Sequence, residues 1–464
     1  MSTDEHLRAR AARPAEEALR LHPFYRGKIQ MMAKCALRSL EDFAVWYTPG
    51  VAASCRAIQA QSDQVFEHTN RGNTIAIVSD GSRVLGLGNI GPEAALPVME
   101  GKALLFKYLG GVDAVPLCLR ITDPDELIRT TRTLEPSFGA INLEDIAQPQ
   151  CFRVLDTLRR DMHIPVWHDD QQGTATVLLA ALMNALELQG KRLADVRIAL
   201  IGMGAANVAA YRLLTAAGVD AGNIVGCDTG GTLHRGRLDI EEQSGLYVDK
   251  WRVCRESNAG AVVGGIKEAL RGADVLVAFS RPQPGLIRAE WVRDMAPRPI
   301  VFACANPEPE IWPWDARSAG AAIVATGRSD FPNQLNNALA FPGILRGVLD
   351  VRARTVSDEM AIAAAREIAD CARNPDLGEE TILPRIDDPE VAVRVAVATA
   401  MTARRQSLAS LAKEAATVRD EARATIARAR AATAALLREG VIPAPPERPG
   451  SPTHEGLSAK AESS

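Results

Sequence analysis

The sequence predicts an α/β protein with parallel sheets in two successive domains and a helical C-terminus. Short apolar runs, typical of buried strands, alternate with helical stretches from residue 74 onwards, and a second such series starts at residue 196. Beyond residue 358 the chain is rich in Ala, Arg and Glu, which favour helices. Aromatic residues make up only 5% of the chain, which favours a helix-rich α/β fold over an all-β one.

The first series begins with a charged helix or frayed arm at residues 1–20 and a loop at 22–30. Further predicted elements are helices at 39–48, 51–60, 99–109 and 151–161, and strands at 74–79, 83–87, 114–119, 140–143 and 164–167. The strand at 83–87 leads into a glycine-rich run, residues 86–91. An apolar helix at 174–188 then forms a hinge or wall between the two domains.

The second series contains strands at 196–201, 224–227, 275–279, 299–304 and 322–325, separated by helices, as in a doubly wound sheet. Helical stretches at 361–372 and 390–439 follow. Acidic residues interleave with the arginines there, so a solvated, packing or dimer-forming helix is favoured over a basic binding arm. The Pro- and Ser-rich residues 443–464 are predicted to be disordered.

Bulk properties limit the class of protein. A chain of 464 residues can hold two or three domains, and a net charge of −4 gives no basic field to attract nucleic acid. The eight cysteines are scattered without C-x-x-C spacing, which is typical of reduced cysteines in a cytoplasmic protein. The N-terminus has no apolar signal-peptide core, and no apolar helix is long enough to span a membrane.

Two acidic pairs follow neighbouring predicted strands. Glu144 and Asp145 come after residues 140–143, and Asp169 and Asp170 come after residues 164–167. Parallel strands end on the same edge of a sheet, where open α/β sheets bind ligands. Gathered carboxylates repel one another unless a cation or proton intervenes, and oxygen ligands favour Mg²⁺ or Mn²⁺ over zinc. The alternative is that these acids only cap strands and begin loops.

A dinucleotide-binding turn follows the strand at 196–201. Gly202 and Gly204 stand between this strand and a helix that begins near Ala205 and Ala206, so backbone N–H groups can approach a pyrophosphate, as in a Rossmann-type domain. A third glycine is replaced by Asn207. Asp228, at the end of the next strand, is placed to accept hydrogen bonds from a ribose. Its carboxylate would repel a 2′-phosphate, and residues 229–232 offer no cation, so NAD is favoured and NADP stays possible.

Four further residues could belong to a catalytic site, but each taken alone also fits an ordinary structural role. Lys102 is placed near the start of a helix, where the helix dipole and burial would lower its pKa and suit a general base; a surface lysine is the alternative. Tyr47 could be a catalytic residue or an ordinary tyrosine of the hydrophobic core. Asn306 and Asn337 stand where amides suit ligand contacts, but amides are also common in turns.

These residues lie in stretches that resemble the malic enzyme family, from about residue 22 to 349, and most closely its compact bacterial type. The matching stretches are WYTPGVA (46–52), GSRVLGLGNIG (81–91), PVMEGKALLFK (97–107), INLEDI (141–146), HDDQQGTA (168–175), ANPEPE (305–310) and ATGRSDFPNQLNN (325–337). Departures from the compact type are Gln172 in place of histidine, Arg83, which is more typical of larger members, Asn207 in the nucleotide turn, and a longer helical C-terminus.

The resemblance implies a role for each candidate. Glu144, Asp145 and Asp170 would bind Mg²⁺ or Mn²⁺, and Asp169, beside the metal, would be a catalytic residue with Tyr47 and Lys102. Lys102 would take the C2 hydroxyl proton of malate, and Tyr47 would protonate C3 of enolpyruvate. The implied contacts to substrate come from Arg83, Asn306 and Asn337, and those to the cofactor from Gly202, Gly204, Ala205, Ala206, Asp228 and Asn306.

The resulting hypothesis is the oxidative decarboxylation of (S)-malate to pyruvate with NAD or NADP by a homodimer or homotetramer, without a nucleic-acid or membrane partner. Malolactic chemistry and a non-catalytic nucleotide-binding regulator are the alternatives. The predicted domains are a catalytic domain (1–173), a Rossmann-type NAD-binding domain (174–350), a helical region that packs on that domain or at a dimer interface (351–442) and a tail (443–464).

Overall fold

The computed structural model describes residues 3–373 and 377–446, and the side chains from residue 13 onwards. The predicted disorder of residues 447–464 therefore lies outside the described residues. One compact unit comprises residues 3–32 and 430–446, in which the Tyr25 hydroxyl donates a hydrogen bond to the carbonyl of Pro443. The other unit, residues 33–429, contains both sheets and all of the predicted site residues.

The first sheet consists of parallel strands: β1 (Thr74–Ser79), β2 (Asp113–Cys118), β3 (Ala140–Leu143) and β4 (Val166–His168). Their order is β2-β1-β3-β4. The chain leaves β1 in one direction to form β2 and returns past it to form β3. The topological switch therefore falls between β1 and β3, and ligands collect at the carboxyl ends of strands at such a point.

The second sheet is built from β5 (Ile198–Ile201), β6 (Ile224–Asp228), β7 (Gly231–Thr232), β8 (Val275–Ala278), β9 (Ile300–Ala303) and β10 (Ile323–Thr326). The order is β10-β9-β8-β5-β6-β7, with only β7 antiparallel among these strands. The switch point lies between β5 and β8, beside the predicted nucleotide turn. This is the doubly wound topology that the sequence predicted, and the fold class is confirmed.

Helices connect and cover the strands. In the described residues they are α1 (Thr3–Tyr25), α2 (Asp42–Trp46), α3 (Val51–Ala60), α4 (Val65–His68), α5 (Gly91–Gly110), α6 (Pro124–Thr133), α7 (Gln150–Asp161), α8 (Thr174–Gln189), α9 (Ala205–Ala216), α10 (Leu238–Glu241), α11 (Val248–Glu256), α12 (Ile266–Leu270), α13 (Ala289–Arg293), α14 (Pro313–Ser318), α15 (Phe341–Asp350), α16 (Asp358–Cys371), α17 (Pro389–Arg405) and α18 (Ala415–Arg438). Among these residues no helix is long and apolar enough to cross a membrane.

Some element predictions are wrong in extent. The predicted strand at 83–87 is a turn in which only Val84 pairs, with Gly88. The predicted loop at 22–30 begins too early, because α1 continues to Tyr25. The helical stretch 390–439 is interrupted at residues 406–414. Helix α5 begins eight residues earlier than predicted and has Pro97 inside it, so Lys102 lies in its interior instead of near its start.

Helix α8 is buried along most of its length, from Ala175 to Leu186. Its apolar residues belong to one continuous core with both sheets, which includes Ile75 of β1 and Leu200 of β5. Because α8 is apolar on nearly every face, it packs as an interior element. The structure shows α8 inside the shared core, and its role as a hinge or wall between domains stays a prediction.

Candidate active site

Two acidic pairs meet at the carboxyl edge of the first sheet. Glu144 and Asp145 follow β3, and Asp169 and Asp170 follow the adjacent strand β4. The backbone N–H of Asp145 donates a 2.8 Å hydrogen bond to Asp170 Oδ2, which ties the two pairs together. The φ angle of Asp145 is 56°, in the left-handed region that a short acidic side chain tolerates. The structure therefore brings together the acids that the sequence places on neighbouring strands.

The side chain of Lys102 lies between the two pairs. Its Nζ is 2.6 Å from Asp169 Oδ2, 2.8 Å from Glu144 Oε1 and 4.5 Å from the centre of the Phe341 ring. Burial alone would lower the pKa of Lys102, but attraction to Asp169, Glu144 and Asp170 outweighs burial and raises this pKa above its ordinary value. The expectation of a lowered pKa is therefore wrong for the ligand-free site, where Lys102 is an ammonium.

The four carboxyl groups have raised pKa values for a shared reason. Burial disfavours the charged form of each group, and repulsion between neighbouring carboxylates adds to it at Glu144, Asp145 and Asp169, while Lys102 opposes the shift. The pKa of Asp145 rises to about 8. Four acids face one ammonium, so the site holds more potential negative charge than the surrounding protein neutralises.

Residues that the sequence argument did not single out hold these acids. Asn142 Nδ2 donates a 2.9 Å hydrogen bond to Glu144 Oε2, and Trp167 Nε1 donates one of 3.2 Å to Asp169 Oδ1. The His168 ring is fully buried with Nδ1 3.7 Å from Asp170 Oδ2, and burial lowers the pKa of His168 to about 3. The sequence did contain one sign of this role: Asn142 is a polar residue inside an otherwise apolar strand.

The connection from β4 to α8 is a single π-helical turn, Asp169–Gly173. A Cβ added at Gly173 would lie 1.9 Å from Asp169 Oδ1 and 3.4 Å from the Cβ of Asn337. Only glycine lets the chain pass this close to an acid that Lys102 and Trp167 hold in place. π-Helical turns of this kind occur often at functional sites. The turn also brings Asn337 beside the acidic cluster.

The nucleotide turn has the predicted form. Gly202 has a φ of 86°, and a Cβ there would lie 2.7 Å from the carbonyl oxygen of Phe279, so a side chain is excluded. Gly204 stands at the N-terminus of α9, and Ala205 and Ala206 form its first turn. Asn207 donates hydrogen bonds to the carbonyls of Ile201 (2.9 Å) and Gly202 (3.0 Å), so it braces the turn where a third glycine was expected.

Asp228 ends β6 as predicted, but two cations surround it. Arg237 Nη1 is 3.0 Å from Asp228 Oδ1, and Lys250 Nζ is 3.4 Å from Asp228 Oδ2. Arg237 also pairs with Asp239 over 2.7 Å. Residues 229–232 offer no cation, as predicted, but Arg237 and Lys250 from beyond β7 stand beside Asp228. The inference that nothing offsets the repulsion between Asp228 and a 2′-phosphate is therefore wrong.

Glu310 is a buried carboxylate that connects two loops at the second sheet. It is 0% exposed and accepts hydrogen bonds from Ser280 N (2.8 Å), Ser280 Oγ (2.8 Å) and Ala305 N (3.1 Å). Burial raises the pKa of Glu310, although these hydrogen bonds act to lower it. Ser280 follows β8, and Ala305 precedes Asn306 after β9. Glu310 therefore fixes both loops beside the nucleotide turn, a role that its position in ANPEPE did not reveal.

The remaining candidates lie at more open positions. Arg83 is exposed, and its backbone N–H donates a 3.0 Å hydrogen bond to the carbonyl of Asp145. Asn306 is exposed in a loop that closely approaches Gly86. Tyr47 is 71% exposed, and its hydroxyl makes no hydrogen bond to any residue that the structure describes. The structure thus leaves Tyr47 outside the buried cluster.

No three His, Cys, Asp or Glu side chains in residues 3–373 and 377–446 are arranged to hold a metal ion as they stand. Lys102 occupies the space between Glu144 and Asp169. The donor set nevertheless fits a hard divalent cation, because its side-chain donors are all oxygens, its acids outnumber its ammonium, and Asp145 Oδ2 is buried without a hydrogen-bond partner.

Comparison with protein families supplies the decisive observation. The family model for the malic enzyme N-terminal domain matches residues 26–159, and the model for the malic enzyme NAD binding domain matches residues 171–404. The chain belongs to the malic enzyme family. Its second sheet is accordingly the NAD(P)-binding domain of a malic enzyme, in agreement with the switch point at Gly202.

Relatives cover most of this malic enzyme. The bifunctional malic/malolactic enzyme of Bacillus subtilis is 46% identical over 396 residues, which are 85% of this chain and 94% of that protein. The NAD-dependent malic enzyme of Geobacillus stearothermophilus is 45% identical over 82% of this chain and 78% of its own length. The crystal structure of Entamoeba histolytica malic enzyme superimposes with a TM-score of 0.93 at 44% identity, covering 100% of this chain and 96% of that one.

Proposed function

We propose that this protein catalyses the oxidative decarboxylation of (S)-malate to pyruvate and carbon dioxide with reduction of NAD or NADP. The observation that carries the proposal is the buried contact of Lys102 with Asp169 and Glu144 in a chain of the malic enzyme family. A non-catalytic regulator would not need a buried lysine between carboxylates at a strand edge. The family membership and this geometry both favour an oxidoreductase.

Glu144, Asp145 and Asp170 are the proposed ligands of Mg²⁺ or Mn²⁺. A metal held by these carboxylates would supply Lewis-acid polarisation of the substrate's C2 oxygen, and the nicotinamide would supply the hydride acceptor. Asn142 fixes the orientation of Glu144, and the Asp145 backbone fixes Asp170. His168, neutral because of its lowered pKa, adds no positive charge that would compete with a cation.

Lys102 is the proposed base. Its Nζ takes the proton of the C2 hydroxyl, which requires the neutral amine. Attraction to Asp169, Glu144 and Asp170 raises the pKa of Lys102 in the ligand-free site; a cation held by Glu144 and Asp170 would remove their share of this shift, while the contact with Asp169 stays. Asp169 keeps the Lys102 side chain in place through the 2.6 Å contact and receives no separate role in proton transfer.

Arg83, Asn306 and Asn337 are the proposed substrate contacts. A guanidinium can hold a carboxylate of malate with two parallel hydrogen bonds. Asn337 lies next to Gly173, and Asn306 follows β9 in a loop that approaches Gly86. Asn306 would also contact the nicotinamide, and Gly202, Gly204, Ala205 and Ala206 would hold the pyrophosphate.

Tyr47 is the proposed acid that protonates C3, and it acts from a second copy of the chain. The segment around it exposes apolar side chains, among them Leu40 (83%), Val45 (61%) and Trp46 (50%). Such a surface is typical of a protein interface. We therefore propose a homodimer in which Tyr47 of one subunit completes the site of the other; a dimer of dimers would give the tetramer.

NAD is the proposed cofactor, with NADP as the second candidate. The Asp228 carboxylate suits a free ribose. Arg237 and Lys250 reduce the repulsion that it would exert on a 2′-phosphate. We also propose a reducing compartment such as the cytoplasm, because the eight cysteines are free. The domain boundaries at residues 173, 350 and 442 stay predictions.

A malate oxidation assay tests the proposal. Purified protein is incubated with (S)-malate and Mn²⁺, with NAD and NADP in parallel, and the absorbance of the reduced cofactor is followed. Turnover that depends on both metal and cofactor is expected. Absence of turnover with both cofactors and both metals would contradict the proposal.

Malolactic chemistry is the second candidate, since the Bacillus subtilis relative is named for both activities. In that reaction the reduced cofactor returns hydride to pyruvate before release, so lactate forms without free NADH. Lactate and pyruvate measured by chromatography in the same assay separate the two reactions. Lactate as the main product would favour the malolactic reaction.

A further inference from the structure

A groove between three C-terminal helices is lined by arginines. Its volume is about 520 Å³, and its walls carry Arg366 of α16, Arg394 and Arg405 of α17, and Arg419 of α18. Val397 and Met401 of α17 form part of the floor. The spacing of 394, 397, 401 and 405 places these residues on one face of α17.

The positive charges in this groove are mostly uncompensated. Arg394 pairs with Glu367 over 2.8 Å and with Asp370 over 3.6 Å. Arg366, Arg405 and Arg419 have no carboxylate within 4.0 Å among the described residues; Arg405 donates a 2.7 Å hydrogen bond to Thr402 Oγ1. Glu367 is the one acid that lines the groove. Three guanidinium groups without a carboxylate within 4.0 Å therefore line one concave space, with Arg419 attracted to Glu390 only at longer range. A concave cluster of like charges concentrates their field and attracts anions.

The groove is next to a helix that reaches the active site. A Cβ added at Gly343 or Gly347 of α15 would lie 2.7 or 2.4 Å from backbone carbonyl oxygens of α17, so the two helices are in backbone contact. Helix α15 begins at Phe341, whose ring contacts Lys102. A shift of α17 would therefore reach the proposed base through one intervening helix.

We propose that the groove between α16, α17 and α18 is a regulatory binding site for a small molecule that carries phosphate groups. Arginine forms bidentate hydrogen bonds with phosphate, and three guanidinium groups that make no close ion pair match the charge of a diphosphate group. The apolar floor accommodates the unphosphorylated part of such a molecule. Binding displaces α17 relative to α15 and changes the rate of malate turnover.

Inorganic pyrophosphate is a suitable probe. Calorimetric titration is performed on metal-free protein in saturating NAD, so that the nucleotide turn is occupied and does not bind the probe. The R366Q/R419Q variant is expected to bind pyrophosphate at least tenfold more weakly than the unmodified protein. R428Q, an exposed arginine of α18 that does not line the groove, is the matched control and should bind as the unmodified protein does.

Equal affinity in R366Q/R419Q, or no binding in the unmodified protein, would overturn the site. Regulation is tested separately by malate turnover at constant free Mn²⁺. Pyrophosphate should change the rate at least twofold in the unmodified protein and in R428Q, and not in R366Q/R419Q. An equal response in all three proteins would overturn the regulatory role. The binding measurement stands even if the proposed malate reaction fails.

Discussion

Lys102 is charged in the ligand-free protein because Asp169 and Glu144 lie 2.6 and 2.8 Å from its Nζ. The same contacts fix its position, so the proposed base is oriented before substrate arrives. Because Lys102 lies in the middle of helix α5, no loop has to close to bring it to the site. Its protonation state, by contrast, depends on which other cations neutralise the carboxylates around it.

Lys102→Ala should remove the proposed base. We expect kcat for malate to fall by about 10²- to 10⁴-fold, the usual contribution of general acid–base catalysis. Binding of NAD, measured by fluorescence titration, should change less than twofold. Lys107→Ala, on the surface of the same helix and paired with Asp113, is the control. Near-normal kcat in Lys102→Ala would contradict the mechanism.

Asp228→Ser should shift cofactor preference toward NADP. The change removes the repulsive carboxylate and frees Arg237 and Lys250 beside the ribose. We expect the ratio of kcat/KM for NADP to that for NAD to rise about tenfold or more, since loss of one close charge contact is worth about 1.4 kcal/mol or more. Parallel kinetics with both cofactors measure the ratio, and an unchanged ratio would remove Asp228 from cofactor choice.

Asp145→Asn should stabilise the metal-free protein at pH 8 while abolishing turnover. Folding raises the pKa of Asp145 from 3.8 to about 8, so the folded protein binds more protons than the unfolded chain between these values. Stability contributed by this group therefore falls as pH rises from about 4 to 8. Thermal melting in chelator at pH 5 and pH 8 should show a larger gain for the variant at pH 8; an equal gain at both would refute this account.

The strands and their polar ends could be predicted because buried parallel strands leave continuous apolar runs in the sequence. Residues 140–143, for example, coincide with β3. Helix α5 was predicted too short because Pro97 is a local stop signal that its tertiary packing overrides. The cations at Asp228 were missed because they depend on how the chain folds back after β7. The tie from Glu310 to Ser280 spans 30 positions and leaves no local pattern.

Gly173→Ala should distort the π-helical turn that holds the second acidic pair. The new methyl group would overlap Asp169 Oδ1 and displace it from Lys102. We expect kcat/KM for malate to fall by about 10²-fold, as misplacement of a catalytic group by 1 Å can do. Gly101→Ala is the control: its Cβ meets no atom within 4 Å although it is next to Lys102. Equal kinetics in both variants would exclude this function of the turn.

Mixed dimers test whether the exposed Tyr47 of one subunit acts in the active site of the other. Tyr47→Phe and Lys102→Ala subunits should each be inactive alone. When the two are co-expressed with different tags and mixed dimers are isolated, one of the two sites should hold both intact residues. Unfractionated mixtures should recover about a quarter of normal activity, because half of the randomly formed dimers are mixed. No recovery would place both residues in one subunit.

The direct passage from the π-helical turn into α8 has a mechanical consequence. Asp169 and Asp170 are joined to a buried helix that packs against both sheets, and no flexible linker separates them. Any rigid-body opening of the two sheets must therefore bend at other crossings of the chain, such as the segment before α15, since hinges form where backbone angles are free to change. Asp169 also follows β4 directly, and α5 packs on the same sheet, so the contact of Asp169 with Lys102 is kept when the cleft opens.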